Sequence, residues 1–146
     1  MAMRSRTPWR LKLHPEQTPK VVPDRRGQML VPTPLQVARV LRRVPRGRLI
    51  TAAMLRDRLA RKAGADFTCP LTTGIFLNIL AGATEEALAQ KRPAIAPYWR
   101  VVDERGNLPV KFPPGRARQA THLRAEGHRI TSAWRVRNVE ATLVDR

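Results

Sequence analysis

Two stretches of this sequence hold residue types able to do chemistry. In Ala96-Pro97-Tyr98-Trp99-Arg100-Val101-Val102 a proline introduces two adjacent aromatics in a chain that is only 5% aromatic, so the pair serves either as core anchors or as a surface for something flat. Nucleic-acid bases stack on such side chains with about 1–3 kcal/mol each, enough to hold an extruded base without bonding to it. In Phe67-Thr68-Cys69-Pro70 the only cysteine precedes a proline suited to the first turn of a helix, where the helix dipole lowers a thiol pKa. Lone cysteines are nonetheless most often packing residues, and burial is the stronger reading of Cys69. One cysteine excludes an internal disulfide and a cysteine-rich metal site, and His14, His122 and His128 lack zinc-ligand spacing. No metal or other cofactor is expected.

Charge narrows the partner. Lys and Arg number 28 against 11 Asp and Glu, a net charge of +17. Such an excess argues for a polyanionic partner and fast association, not for a fold. Double-stranded DNA is the first expectation and RNA the second. No apolar run approaches the roughly 20 residues that span a bilayer, and none resembles a signal-peptide core. The expectation is a cytoplasmic, nucleoid-associated monomer with no membrane partner. The 146 residues suffice for one domain with tails.

The elements that position these residues follow from caps and periodicity. Residues 1–27 carry Pro8, Pro15, Pro19 and Pro23 without sustained periodicity and read as a flexible basic tail, with Arg4, Arg6, Arg10 and Lys12 available to phosphates. Folding is expected over 28–130. Thr33 caps and Pro34 opens a first helix, whose stripe (Leu35, Val37, Ala38, Leu41, Val44) ends at Pro45 and Gly47 and whose open face is arginine-rich. Thr51 caps a second helix, with Leu55 and Leu59 inward and Gly64 as its stop. A third helix starts at Pro70, capped by Asp66 or Thr68. Its fourfold spacing of Leu71, Ile75, Ile79 and Ala83 predicts a buried face, and Gly74 and Gly82 are points of bending. Then "YWRVVD", "ERGN" and "LPVKF" read as strand, turn and return strand, and residues 116–126 as a last helix stopped by Gly127. Residues 131–146 read as a C-terminal extension holding one or two strands. The fold class is α+β, mainly α: a winged helix-turn-helix domain with the third helix as reader.

The order of "VPRGRLITAAMLRDRLA", a glycine-bearing third helix, "PYWRVVDERGNL" and "LRAEGHRI" resembles the DNA-binding domain of the O6-alkylguanine-DNA alkyltransferases and their alkyltransferase-like relatives. The resemblance covers roughly Val31 to Ile130. Against the family motif Pro-Cys-His-Arg-Val-Val the chain reads Pro97-Tyr98-Trp99-Arg100-Val101-Val102. Arg100 and both valines match, whereas the nucleophilic cysteine and its histidine are replaced. The resemblance assigns Glu126 of Glu126-Gly127 to the carboxylate that activates the cysteine through histidine and water. A phenol is mostly protonated at neutral pH and an indole has only a donor, so alkyl transfer at this motif is not expected. The family's base-replacing arginine stretch, Arg-Ala-Val-Gly, reads here Leu71-Thr72-Thr73-Gly74, and its Ser-Tyr-Gly reads Thr51-Ala52-Ala53.

The resemblance therefore implies a non-catalytic DNA-binding protein that recognises alkylated or distorted bases. On that reading Tyr98, Trp99, Arg100 and Glu126 form the pocket, with Tyr98 facing it and Trp99 anchored in the core. Arg42, Arg43, Arg46, Arg48 and Arg56, with Leu71, Thr72, Thr73 and Gly74 of the third helix, meet DNA. Leu71 is read as part of the buried stripe, with a wedge into the base stack as its other role. The competing readings are a regulator-like or architectural winged helix binding undamaged DNA or RNA by charge, and an alkyltransferase using Cys69.

Overall fold

Thr33 accepts the backbone N–H of Gln36, and Gln36 returns the bond to the Thr33 N–H, a reciprocal cap that starts α1 (Pro34–Arg42) where the sequence places it. In this computed structural model, which describes residues 7–145, Val37, Ala38, Leu41 and Val44 are fully buried. Each large side chain of that stripe contributes about 1.5–3 kcal/mol by leaving water. Thr51 caps α2 (Ala52–Ala63) through the Met54 N–H, and Gly64 ends it in the left-handed conformation at φ 68°.

The third helix, α3 (Pro70–Ala89), is one continuous element of 20 residues. Its N-cap is Cys69, not Asp66 or Thr68. Asp66 is instead turned to the Gln28 N–H at 2.7 Å, and Thr68 to the Arg56 carbonyl. The expected buried stripe is half right. Ile79 and Ala83 are buried, but Leu71 is 73% exposed and Ile75 49% exposed, and the inward residues of the first turns are Thr73 and Leu77. Gly82 does not bend the helix. It makes room for Trp9, whose ring occupies the space a Cβ would need.

Residues 7–27 are not a loose tail, and the domain begins before residue 28. A 3-10 turn, Trp9–Lys12, rests on α3, its Trp9 and Arg10 N–H groups donating to Glu86. β1 (Lys20–Asp24) then forms an antiparallel hairpin with β2 (Gly27–Val31), which pairs in parallel with β4 (Phe67–Thr68). Pro23 is tolerated because β1 is the edge strand. Arg4 and Arg6 lie outside the described residues.

The second sheet positions the motif. β3 (Ile50–Thr51) pairs in parallel with β5 (Val101–Val102), carrying the 3-10 turn Tyr98–Arg100 against the α1–α2 connection. The return strand expected at Leu108–Phe112 does not form. Asp103 instead closes a turn with Asn107, and Leu108 and Gly106 bond to Trp134 and Val136. Residues 131–145 are thus part of the domain. Val136, Val139 and Val144 are buried, and Leu49 is bonded to Thr142 and Val144. Only isolated bridges and α5 (Val139–Thr142) occur there, where strands were expected. α4 (Arg116–Ala125) buries Gln119, Ala120 and Leu123 and leaves Ala117 outside. The architecture is mixed α+β, mainly helical, and among the described residues no helix is long and apolar enough to cross a membrane.

Candidate nucleic-acid interface

Glu126 follows α4, and its side chain is only 3% exposed. Its carboxylate accepts from Arg100 Nη2 at 2.7 Å, from Trp99 Nε1 at 2.8 Å and from the Gly47 N–H at 3.0 Å. Arg100 also donates to the Val44 carbonyl at 2.6 Å, so one ion pair ties α4, the motif and the α1–α2 connection together. Burial pushes the Glu126 carboxyl up, but the bonds from Arg100, Gly47 and Trp99 outweigh it and hold it below the ordinary carboxylate value. Arg100 Nε donates to it as well, at 3.0 Å, so its four acceptor positions are taken and none is left for a catalytic water.

Tyr98 is completely buried, which reverses the expectation that it faces the pocket. Its hydroxyl donates to Glu85 at 2.6 Å, and His122 Nε2 meets the same carboxylate oxygen at 2.7 Å. Burial first, then the adjacent Glu85, push the phenol far above its ordinary value, so it is neither nucleophile nor base. Trp99 is the less buried of the two. Its ring stacks on His122 at 4.1 Å between centroids and 16° between planes, edge-on to Tyr98 at 5.5 Å. Gln119 clasps the carbonyls of Trp99 and Val101. The aromatic pair is a keystone joining α3, α4 and β5. Sequence reasoning missed Glu85, His122 and Gln119. One signal was available: Glu85 and Glu86 are the only charged residues of α3, and they hold Tyr98 and the Trp9 turn respectively.

The open surface lies at the start of α3, where Leu71, Gly74 and Ile75 face solvent and nothing stands within 4 Å of a Cβ at Gly74. Thr73 does not belong to it, being 1% exposed with its hydroxyl on the Cys69 carbonyl at 2.8 Å. Thr72 is half-buried and directs its hydroxyl to Cys69 Sγ at 3.1 Å. Cys69 is itself half-buried, more accessible than a packing cysteine. Burial raises its thiol pKa, but the Thr72 and Leu71 groups outweigh burial and bring it below the ordinary value. Among the described residues no carboxylate or imidazole bonds to it.

The expected DNA-facing arginines divide into two sets. Arg42 donates to the Ile95 carbonyl, Arg46 to that of Ala125, and Arg48 to those of Thr142 and Leu143, so these three brace the fold. Arg43 is exposed and Arg56 half-buried, without side-chain hydrogen bonds among the described residues. No group of three or more His, Cys, Asp or Glu that could hold a metal occurs among those residues.

No protein-family model matches the chain, and no curated protein sequence matches it. The backbone does have counterparts. The crystal structure of S. pombe Atl1 in complex with damaged DNA containing O6-carboxymethylguanine is similar at a TM-score of 0.52 and 20% identity, covering 77% of this chain and 94% of that one. That of S. pombe ATL in complex with DNA is similar at 0.53 and 20%, with the same coverage. The molecule shares the fold of these alkyltransferase-like structures, the fold that the ordered motifs implied.

Proposed function

We propose that the chain is a non-catalytic DNA-binding protein of the alkyltransferase-like kind, which recognises alkylated or distorted base pairs. α2 and α3 act as the helix-turn-helix, and the Asp103–Asn107 turn braced by 130–136 acts as the wing. One observation carries the reading: every reactive group of the motif is committed inside, while Leu71 stands 73% exposed beside Gly74 at the start of α3. An exposed aliphatic side chain on a reading helix is suited to wedge between base steps, most cheaply where pairing is already weakened. The net charge of +17 supplies sequence-independent affinity, with Arg43 and Arg56 among the arginines open to phosphate. The two S. pombe neighbours, both in complex with DNA, support the reading.

The test is fluorescence anisotropy on matched duplexes with and without one O6-methylguanine. Leu71→Ala should bring the two affinities together; unchanged discrimination would remove Leu71 from the role. One observation favours the second reading, charge-driven binding of undamaged DNA or RNA. Tyr98 is sealed, so an extruded base would have to be held without it. Equal affinity for both duplexes would establish that reading. Transfer of a label from an O6-alkylguanine oligonucleotide to the wild type, but not to Cys69→Ser, would replace both readings with an enzyme. We expect no transfer, because the Cys69 sulfur is engaged as the α3 cap without a base beside it.

A further inference from the structure

A second concave surface shares no residue with the α3 face or the Trp99–Glu126 cluster. It is a cleft of about 750 Å³ between α1, the C-terminal half of α2 and β1. Arg39 of α1 and Arg43 at its C-cap line it one helical turn apart, with Arg61 and Lys62 of α2 and Arg58, which also donates to the Asp145 carbonyl. No acidic side chain lines the cleft, and none of these five cations forms a salt bridge among the described residues. Like charges gathered in a concavity repel one another, a cost that an anionic occupant relieves.

The floor decides what kind of anion fits. It is aliphatic: Val21, 46% exposed on the edge strand, and half-buried Val40 face the opening, over the buried Leu30 and Leu59. A duplex is convex and presents phosphates, so it covers the arginine rim and leaves the apolar floor unfilled. A single strand needs aromatic faces for its bases, and this lining has none. Alternating carboxylates and aliphatic anchors match both parts at once, the carboxylates on the guanidinium fork and the anchors on the floor.

We infer that the α1–α2 cleft is a docking site for an acidic amphipathic helix of a partner protein, its aliphatic face on Val21 and Val40 and its carboxylates on the arginine rim. The inference does not rest on the DNA reading: of the groups assigned to DNA only Arg43 also lines the cleft, and Arg39, Arg61 and Lys62 belong to the cleft alone.

The probe is a fluorescein-labelled peptide about 14 residues long, with Leu at i, i+3, i+4 and i+7 and Glu at flanking positions. It is compared with a scrambled peptide of the same composition and an unlabelled single-stranded oligonucleotide of equal charge. The proteins are the full chain, Arg39→Glu/Arg61→Glu/Lys62→Glu, the milder Val21→Asp on its exposed site, and a charge control reversing Arg105, Arg129 and Arg137, which lie outside the cleft. Circular dichroism checks that each is folded. The patterned peptide should bind about tenfold tighter than the scrambled one, and lose about tenfold in the cleft triple variant and in Val21→Asp but not in the charge control. Equal binding of both peptides, no measurable binding of either, or equal losses in cleft and control variants would overturn the inference. Displacement of the peptide by the oligonucleotide would assign the cleft to nucleic acid instead. Duplex affinity, read separately, keeps failure of the DNA reading distinct.

Discussion

At the residue scale, Glu126 carries most of the burden. It gathers Arg100, Trp99 and Gly47 with 3% exposure, and breaking a buried pair of this kind leaves an uncompensated charge. Glu126→Ala should therefore cost about 3–5 kcal/mol in urea denaturation, with Arg100 stranded. Tyr98→Phe should cost about 1–3 kcal/mol, because Glu85 loses a buried donor, and should leave DNA affinity unchanged. Loss of DNA binding without loss of stability would return Tyr98 to the recognition site. The pH dependence has a defined sign. Burial, helped by Arg100 and opposed by Glu126, depresses His128 below its ordinary 6.5, so the unfolded chain takes up that proton first and stability falls as pH drops below about 6.5. Glu126 is also depressed, so its contribution is complete above 4.5 and is lost as pH falls further. Thermal melts from pH 8 to 4 should decline in two stages, and His128→Gln should remove the first. A flat profile above pH 5 would contradict this. Glu126 was legible only through resemblance to a family. Glu85 was marked only as one of the two charges of α3, and its meeting with Tyr98 and His122 was not legible, because nothing in the spacing of residues 85, 98 and 122 announces it.

At the element scale, what was local was readable. Thr33, Pro34, Thr51 and Gly64 punctuate α1 and α2 as their side chains and backbone freedom require. The orientation of α3 was not, because an apolar residue every four positions defines a stripe without saying what covers it. From Ile79 to Thr84 the helix is enclosed, so periodicity there carries no direction; its first turns are open and leave Leu71 and Ile75 outside. Gly82 was read as a bend, yet its role is to admit the Trp9 ring, a partner 73 positions earlier in the chain. Gly82→Ala should thus cost about 1–3 kcal/mol and expose Trp9, seen as a red-shifted tryptophan emission. Leu71→Ala, by contrast, should change stability by no more than about 0.5 kcal/mol, because its side chain is already in water.

At the scale of the whole molecule, the sequence made the partner's charge plain and the limits of the domain obscure. The +17 charge needs no structure to be read. The β1–β2–β4 sheet and the bonds from Leu49 to Thr142 and Val144 do, since they join segments far apart in the chain and make the expected tail and extension parts of one body. Electrostatic affinity falls steeply with salt, on the order of 10³-fold between 50 and 200 mM for six or more phosphate contacts, whereas insertion of an apolar side chain does not release counterions. The measurement that tests the central claim is the affinity of the full chain for matched duplexes, with and without one O6-methylguanine, across that salt range. The account predicts that both affinities fall while their ratio, in favour of the lesion, stays constant. Equal affinities that decline together would mean that the fold serves charge-driven binding alone and that the α3 face reads no damage.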